Sequence, residues 1–432
     1  MAGEWIVTDF ADAIDFQEGP GILAKDFHDC GVPLIRLSGL DRGASLLAGC
    51  NYLDPDLVAK KWAHFALQKG DILLSTSASL GRIAVVADEG VGAIAYTGII
   101  RMRPQDERMI APFIRYLLEG PNFQQQAESF GAGSVIRHFG PTHLRQMNVL
   151  LPPPAEQRVI AHILGTLDDK IELNRRRNET LEAMARALFK DWFVDFGPVR
   201  AKMEGREPYL PADLWELFPE RLDDEDKPEK WETANLDTFA SLVTTSVSPG
   251  KSPETMFEHY SIPAFDAGRM PAMELGESIK SNKYMVHSDA VLVSKLNPQT
   301  PRVWLPAVKT ERAVCSTEFM QFTPRDRKSR PYLYGLMSSQ AMQDEVLKHV
   351  TGSTGSRQRA QPSQIAKVDV LIPSSKVLSM FNRQVEPILD AIAENRHEAQ
   401  ALAQLRDTLL PKLISGEVRI KNADKFIEEH AL

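Results

Sequence analysis

The chain has 432 residues, of which 43% are hydrophobic and 25% charged, and its net charge is −8 at neutral pH. This length predicts two domains or more, and the lack of both a long apolar run and a signal-peptide pattern predicts a cytoplasmic protein that does not enter a membrane. The three cysteines, Cys30, Cys50 and Cys315, are far apart, which favours free thiols over disulfides or a metal site.

Residues 1–153 predict a first domain of mixed type. Short apolar runs at Ile72–Leu74 and Ile83–Val86 predict strands, and a helical pattern follows near Ala111–Leu118. A Gly/Ser-containing stretch, Gly131–Arg137, precedes the apolar strand Val149–Leu151, which ends in a proline. This order indicates an α+β module.

A long helix is predicted over residues 154–195. Its apolar and amide side chains recur every four and three residues in alternation, which is the heptad spacing of a helix that packs against an equally long partner. Among these seam positions are Leu164, Leu167, Ile171, Asn174, Asn178, Leu181 and Leu188.

Residues 196–230 predict a linker between two domains. Prolines that include Pro198, Pro208, Pro211 and Pro219, together with the acidic run Asp223–Asp226, favour irregular structure, with one short helix near Ala212–Leu217. Much of the negative charge of the chain lies in this segment.

Residues 231–374 repeat the first domain. Pro331–Met337 resembles Pro112–Leu118, and Val370–Pro373 resembles Val149–Pro152. Further upstream, Asp289–Leu292 resembles Asp71–Leu74. A segment that recurs in the same order indicates internal duplication.

A second long helix is predicted over residues 375–416, followed by a tail at 417–432. Its seam lies in the same register and includes Val385, Ile388, Ile392, Asn395, Leu402 and Leu409. We expect the two long helices to pair in a coiled coil, with the seam asparagines fixing the register; the alternative is that they face solvent. Pro387 is expected to start or kink the second helix and Pro411 to end or bend it.

Several strings resemble conserved regions of a known family, the specificity subunits of type I restriction-modification systems. They are Leu151–Arg158 (LPPPAEQR), Leu167–Arg175, Asn178–Phe189 and Trp192–Lys202 around the first helix, and Leu405–Val418 at the end of the second. The second copy has Ser374-Ser375-Lys376 where the first has Ala-Glu-Gln, which leaves the first turn of the second helix in doubt.

The resemblance implies an α+β fold in which two similar α/β target-recognition domains are separated by two long antiparallel helices that form a coiled coil. Each domain would read one half of a bipartite site on double-stranded DNA. Two modification (methyltransferase) subunits and the restriction (translocase/endonuclease) subunits would be the partners. S-adenosylmethionine, ATP and Mg²⁺ would then act on those subunits, and this chain would hold no cofactor and no catalytic residue.

Candidate DNA contacts come from two acid-free basic windows and from nearby loops. The windows are 129–155 and 346–368, and hydroxyl, amide and basic side chains of these types bind phosphates or base edges. The candidates are Ser75, Thr76, Ser77, Arg82, Ser134, Arg137, His138, Thr244, Thr245, Lys251, Lys295, Asn297, Gln299, Arg302, Ser353, Arg357 and Arg359.

Two other functions remain open. A self-sufficient DNA methyltransferase or nuclease is disfavoured because nucleotide-binding, zinc-protease and amino-methyltransferase motifs do not occur. Asp168-Asp169-Lys170 loosely resembles a nuclease pair, but we expect it to be a solvated charged face of the helix. The second alternative is a coiled-coil scaffold that binds only protein.

Overall fold

The computed structural model describes residues 4–41, 43–76, 81–130, 139–352 and 358–430. The chain divides into two units, one formed by Met1–Leu173 with Ala399–Leu432 and the other by Asn174–Glu398. Each unit contains one head, which is a module of small sheets and short helices, and a part of each of two long helices. Within the described residues, no helix is both long enough and apolar enough to cross a membrane.

The first head begins at β1 and ends at β9. In chain order its elements are β1 (Ile6–Asp9), α1 (Phe10–Ala13), β2 (Ile14–Glu18), β3 (Val32–Ile35), β4 (Asn51–Leu53), α2 (Pro55–Lys61), β5 (Ile72–Ser75), β6 (Ile83–Val85), β7 (Ile94–Ala95), β8 (Ile99–Pro104), α3 (Ala111–Glu119), α4 (Pro121–Phe130), α5 (Pro141–Leu144) and β9 (Asn148–Leu151). The long helix α6 (Pro154–Phe193) follows, and then α7 (Gly197–Met203) and α8 (Ala212–Trp215).

The second head begins at β10 and ends at β22. In chain order its elements are β10 (Glu232–Asn235), α9 (Leu236–Phe239), β11 (Ala240–Val243), β12 (Ser246–Val247), β13 (Met256–Tyr260), α10 (Ile262–Asp266), β14 (Ala272–Leu275), β15 (Lys283–Met285), β16 (Val291–Ser294), β17 (Val303–Trp304), β18 (Ala313–Ser316), β19 (Phe319–Pro324), α11 (Arg330–Met337), α12 (Gln340–Lys348), β20 (Val350–Thr351), β21 (Arg359–Ala360), α13 (Pro362–Ile365) and β22 (Asp369–Ile372). The long helix α14 (Ser375–Ile414) and the short helix α15 (Ala423–His430) complete the described chain.

The two heads share one strand topology. In the first head β1 pairs with β9, one sheet has the order β2-β8-β5-β6, and another has β4-β3-β7 with β3 and β7 parallel. In the second head β10 pairs with β22, one sheet has the order β11-β19-β16-β17, and a five-stranded sheet contains β14-β13-β18 with β13 and β18 parallel. The second head adds β15 and β12 to that sheet and the β20–β21 pair. This correspondence supports the internal duplication.

Burial explains why the apolar runs form central strands. All four residues of β5 and of β16 are buried, and such continuously buried strands read as apolar runs without alternation. In the first head, α3 packs Phe113, Ile114 and Leu118 into the core that contains Ile72 and Leu74. The core of each head therefore lies between its four-stranded sheet and the helices that follow it.

In the first unit, the beginning of α6 and the end of α14 pack against the head. Leu164 is fully buried in the same core as Leu410 and Leu413. Half-buried seam residues accompany them, namely Leu167, Ile171, Leu402 and Leu409. Because this stripe covers apolar surface of the head as well as of the other helix, the helices are part of the core of the unit.

In the second unit, the two long helices run antiparallel. Asn174 donates to Glu398 at 2.7 Å and Asn395 donates to Asn178 at 2.9 Å. Residue numbers rise along α6 while they fall along α14, so the antiparallel pairing expected of the long helices is confirmed. The apolar seam residues Val385 and Ile392 are buried, and Leu181, Leu188 and Ile388 are half-buried.

The seam asparagines are bonded between the helices. Asn174 and Asn178 are buried, and Asn178 also donates to the carbonyl of Ile392 at 3.3 Å. The solvent-facing alternative is therefore wrong for these two residues, because each amide is held inside the helix pair.

Both prolines of α14 lie inside one continuous helix, so Pro387 does not start the helix and Pro411 does not end it, whereas a kink or bend at either proline stays a prediction. Helix α14 also begins at Ser375, although its first turn lacks the Ala-Glu-Gln string. Pro387 is exposed, and the buried neighbours Val385 and Leu389 anchor the helix on either side of it. Burial of the flanking turns thus outweighs the loss of one backbone donor at the proline.

The segment between the heads is more regular than its prolines suggested. It contains α7 and α8, and Val199, Leu214 and Phe218 pack into a core with Trp192 and Trp231. Aromatic residues supply enough apolar surface to order this segment, and such burial is the main driving force for folding.

Candidate nucleic-acid interface

The structure describes eleven of the seventeen candidate DNA contacts. Six lie outside the described residues and stay predictions: Ser77, Ser134, Arg137, His138, Ser353 and Arg357. The others lie at two places in the second head and at one place in the first.

In the second head, the loop that follows β16 is bonded to the strand β21. The carbonyl of Lys295 accepts from the N–H of Ala360 at 2.9 Å, and the N–H of Asn297 donates to the carbonyl of Gln358 at 3.1 Å. The side chain of Gln299 donates to that of Gln358 at 2.6 Å. The structure thereby brings Arg359 close to a distant segment of the sequence that contains Lys295, Asn297 and Gln299. We call residues 295–302 with 358–360 the recognition loops.

Asn297 has an unusual backbone in this loop. Its φ of 49° lies in the left-handed region, which asparagine tolerates better than most residues. Among the described atoms, its Oδ1 is buried and has no hydrogen-bond partner. Strained backbone and unsatisfied polar atoms concentrate at functional sites, so Asn297 is the most distinctive candidate among the recognition loops.

The two arginines of the recognition loops are held by carboxylates of the chain itself. Arg302 binds Asp266 through two contacts of 2.7 and 3.0 Å, and its side chain is only 12% exposed. Arg359 binds Glu318 in the same two-pronged way at 3.0 Å for each contact, and this hydrogen bonding raises the pKa of Arg359 further. Direct DNA contact by Arg302 is therefore corrected, because its largely enclosed guanidinium is held by Asp266 and fixes the loop. The side chain of Arg359 stays accessible.

Thr244, Thr245 and Lys251 are exposed near the edge strand β12 of the five-stranded sheet. The carbonyl of Thr245 accepts from the N–H of Met285 on β15 at 2.9 Å. These three candidates lie on either side of β12, whereas the recognition loops follow β16 of the four-stranded sheet.

In the first head, the hydroxyl candidates next to β5 are buried. Ser75 and Thr76 have no exposed surface, and Ser75 Oγ accepts from the N–H of Arg82 at 3.0 Å. Direct DNA contact by these two hydroxyls is corrected, because Ser75 closes the turn and Thr76 lies inside the head. The side chain of Arg82 forms an ion pair with Asp41 and donates to the carbonyl of Leu37 at 3.4 Å.

Asp168 is not on a solvated face. Its side chain is 8% exposed, and its carboxylate accepts from Arg406 at 2.7 Å, from Arg115 at 2.8 Å and from the hydroxyl of Tyr116 at 3.1 Å. Burial and the neighbouring carboxylate raise the pKa of Tyr116 above its usual range. The group joins α6, α14 and α3 in the first unit, which is a structural role.

The Glu-Gln pair at the start of α6 also has a structural role that the sequence did not reveal. Glu156 accepts from the indole of Trp5 at 2.8 Å, from Arg419 at 3.0 Å and from the N–H of Ile420 at 2.8 Å. Gln157 accepts from the N–H of Ile110 at 3.0 Å and donates to the carbonyl of Pro152 at 2.8 Å. Apart from Pro152, these partners are far away in the sequence, so no local spacing could indicate them.

A group of arginines in the second unit was also missed. Glu182 on α6 accepts from Arg269 at 2.7 Å and from Arg396 at 2.6 Å, and Arg186 lies 3.5 Å away. Burial lowers the pKa of Arg396, against the opposing effect of Glu182. We call these four residues the arginine cluster. Helical spacing alone pairs Glu182 with Arg186, but the other two arginines meet it only in the fold.

The described residues contain no group of three or more acidic, histidine or cysteine side chains placed to hold a metal ion. Cys30 is exposed, Cys50 is half-buried and Cys315 is buried, and none of them forms a disulfide. Burial raises the pKa of Cys315 to about 12, so this thiol stays protonated at neutral pH.

Comparisons with known proteins agree with this architecture. Residues 56–183 match the family model described as the type I restriction modification DNA specificity domain. The chain is 25% identical to the type I restriction enzyme MjaIX specificity subunit of Methanocaldococcus jannaschii, over 82% of this chain and 78% of that protein. It is also 25% identical to the type I restriction enzyme HindI specificity subunit of Haemophilus influenzae, over 82% of this chain and 88% of that protein.

A solved structure shares the fold. The crystal structure of a type I restriction-modification system S subunit from M. genitalium covers 95% of this chain and 96% of its own, with a TM-score of 0.58 and 14% identity. At this identity the similarity concerns the fold alone. Together with the matched family model and the two relatives, the duplicated heads and the paired long helices make this chain similar to the specificity subunits of type I restriction-modification systems.

Proposed function

We propose that this chain is the sequence-specific DNA-binding subunit of a type I restriction-modification complex, in which each head reads one half of a bipartite target. The observation that carries the proposal is the duplication of one head topology in a chain whose heads are each followed by a long helix. Two similar modules in one chain suit a ligand that has two separate recognition elements. The names of the relatives supply the type of enzyme.

In this proposal the chain selects the DNA sequence, and other subunits carry out the reactions there. Two modification subunits would bind S-adenosylmethionine and methylate the target, and restriction subunits would use ATP and Mg²⁺. The chain itself is proposed to be non-catalytic and to act in the cytoplasm.

The recognition loops suit DNA because they combine the cationic side chains of Lys295 and Arg359 with amides. Asn297 and Gln299 are side chains of the type that reads base edges in pairs of hydrogen bonds, and Lys295 can neutralise a phosphate. The backbone bonds between residues 295–297 and 358–360 give these side chains a fixed frame. A preorganised frame lowers the entropy lost on binding.

Methylome sequencing tests the proposal. A host that lacks type I systems receives the genes for this chain and its modification subunit, and methylated positions are mapped across the genome. The proposal expects methylation at one bipartite sequence that disappears when this chain is omitted. Methylation that persists without the chain would contradict it, and so would purified chain that methylates DNA alone.

A coiled-coil scaffold that binds only protein predicts a different result. The assembled complex would then protect no specific DNA sequence in a footprinting experiment. A footprint with two protected halves favours the DNA-reading function, whereas uniform cleavage along the duplex favours the scaffold.

A further inference from the structure

The arginine cluster carries more positive charge than its carboxylate can balance. Arg186, Arg269 and Arg396 share one partner, Glu182, so the cluster keeps an excess of two positive charges. Arg186 is 58% exposed and Arg269 is 34% exposed, whereas Arg396 is 16% exposed. Two of the three guanidiniums therefore remain accessible to an anion.

A pocket of about 160 Å³ opens beside these two arginines. Its wall includes Arg186 and Arg269 with their carboxylate partner Glu182, the polar side chain of Gln343, and apolar groups such as Pro301 and Val303. Pro301 belongs to the recognition loops, and the amide of Gln343 donates to the carbonyl of Pro298 in the same loop. The pocket thus adjoins the recognition loops within the second unit.

The backbone at Arg269 is a second and independent observation. Its φ of 58° lies in the left-handed region, which is strained for a residue with a long side chain such as arginine. Its N–H is fixed by the carbonyls of Ala264 and Phe265 at 3.1 and 3.0 Å. Glycine or asparagine would adopt this backbone conformation with less strain. The position nevertheless holds an arginine, so the side chain itself is the distinctive feature here.

The first unit has no such excess around its own buried ion pair. There the arginines Arg115 and Arg406 contact three carboxylates, those of Asp168, Glu119 and Asp407. Among the described contacts, this excess of positive charge distinguishes the arginine cluster from the ion pair around Asp168.

We propose that this pocket binds a phosphate of the DNA backbone next to the half-site read by the second head, an inference that rests on the proposed function. Arg186 and Arg269 donate to the phosphate oxygens, and Arg396 keeps Glu182 neutralised so that the carboxylate does not repel the anion. Guanidinium groups match phosphate geometry through paired donors, which makes arginine suited to this contact. The long helix α6 then contributes a DNA contact of its own through Arg186.

The test uses the full complex with its modification subunits and labelled duplexes with or without the methylated site. The variant combines Arg186→Ala with Arg269→Asn, because asparagine accepts the left-handed backbone and Arg396 still pairs with Glu182. We expect both duplexes to bind about tenfold more weakly at low salt. The slope of log affinity against log salt should fall by about one to two, since each lost phosphate contact removes about 0.9.

Arg177→Ala is the matched control, because it removes an exposed arginine from the same helix. It should leave the salt slope unchanged. An equal loss in this control would overturn the inference, because the effect would then be one of general charge. A variant that no longer assembles with the modification subunits would also overturn it, because the pocket would then be a protein contact.

Two further outcomes separate the inference from the proposed function. If the unchanged complex binds no DNA, the proposed function fails. If it binds DNA and the double variant keeps the full slope, only the inference fails. Arg186→Ala alone, on an exposed side chain, gives the same test with about half the change in slope if the double variant is unstable. Inorganic phosphate at millimolar concentration should compete only weakly, and strong competition would overturn the assignment to DNA.

Discussion

Glu156 joins residues from both ends of the described chain. Trp5 and Arg419 donate to the same carboxylate, and the guanidinium of Arg419 lies 5.1 Å from the ring centre of Trp5. Burial acts to raise the pKa of Glu156, but the hydrogen bonds from Arg419, Trp5 and Ile420 outweigh it and hold the pKa below its usual value. The ionised carboxylate is therefore the form that stabilises the first unit.

Glu156→Gln should destabilise the first unit by about 1–3 kcal/mol at neutral pH, because charged hydrogen bonds are lost inside the protein. A lowered pKa means that this stabilisation is complete above the unfolded value of about 4.3 and is lost as the pH falls through the lower folded value. Urea unfolding at pH 7 and at pH 3 measures both effects. The difference between the variant and the unchanged chain should shrink at pH 3.

Glu179→Gln on the same helix is the control. Glu179 is 63% exposed and pairs with Arg175, and exposed pairs contribute about 0–1 kcal/mol. If both substitutions destabilised the protein equally, the buried network around Glu156 would not be a significant source of stability.

Side chains of the recognition loops should differ in what they contribute. Gln299→Ala should relax the sequence preference at one position of one half-site, since amides can read base edges. Lys295→Ala should weaken binding to all duplexes similarly and lower the salt slope by about one. Binding measured against a panel of single-base variants distinguishes the two. Identical effects of both substitutions would contradict separate roles.

At the level of elements, the long helices combine apolar seam positions with buried amides. Asn178 receives a hydrogen bond from Asn395 and gives one to the carbonyl of Ile392. Polar residues at such positions usually lower stability and fix the register of the pair. Because each amide here has a partner on the other helix, a shift of either helix by one turn would break these bonds.

Asn178→Ala should lower the stability of the second unit by about 1–3 kcal/mol, because the amide of Asn395 is left without its acceptor. Asn178→Leu combined with Asn395→Leu should recover most of this loss, since a buried polar pair can often be replaced by apolar residues. Thermal unfolding of the three proteins is the measurement. A double variant less stable than Asn178→Ala would contradict this account.

The sequence predicts these helices well because heptad spacing is a local property. It does not predict the partners of charged residues that meet only in the fold. Asp168 resembles a solvated acid until Arg406 and Arg115 are placed beside it. Likewise, Ser75 and Thr76 resemble exposed loop hydroxyls, yet the turn to Arg82 buries them. The residues proposed to contact DNA are the hardest to predict from the sequence, because the recognition loops are assembled from segments that are distant in the chain.

At the level of the whole molecule, duplication makes the heads separable. The four-stranded sheet of each head has its own apolar core, with Ile72 in the first and Val291 in the second. Loops can vary around such a core at little cost in stability. Each head can therefore change its specificity while the long helices stay the same.

Replacing residues 231–370 with the same region of a relative should change one half of the methylated sequence and leave the other half unchanged. The physical reason is that the recognition loops lie wholly within this segment. Methylome sequencing of cells carrying the chimera is the measurement, and replacement of residues 6–151 is the reciprocal control. A simultaneous change in both halves would contradict independent reading.

The division of the chain also bears on the order in which the protein can fold during its synthesis. The second unit is one continuous stretch, Asn174–Glu398, whereas the first unit needs Ala399–Leu432 as well as its own early residues. Domains made first on the ribosome ordinarily fold first. Here the half that is translated first must wait, because Leu410, Leu413 and Arg419, the partner of Glu156, are made only after the whole second unit. A nascent chain that stalls before these residues are made exposes the apolar surface that they would cover, and Glu156 lacks its ion pair with Arg419. Quality-control proteases can recognise such a chain.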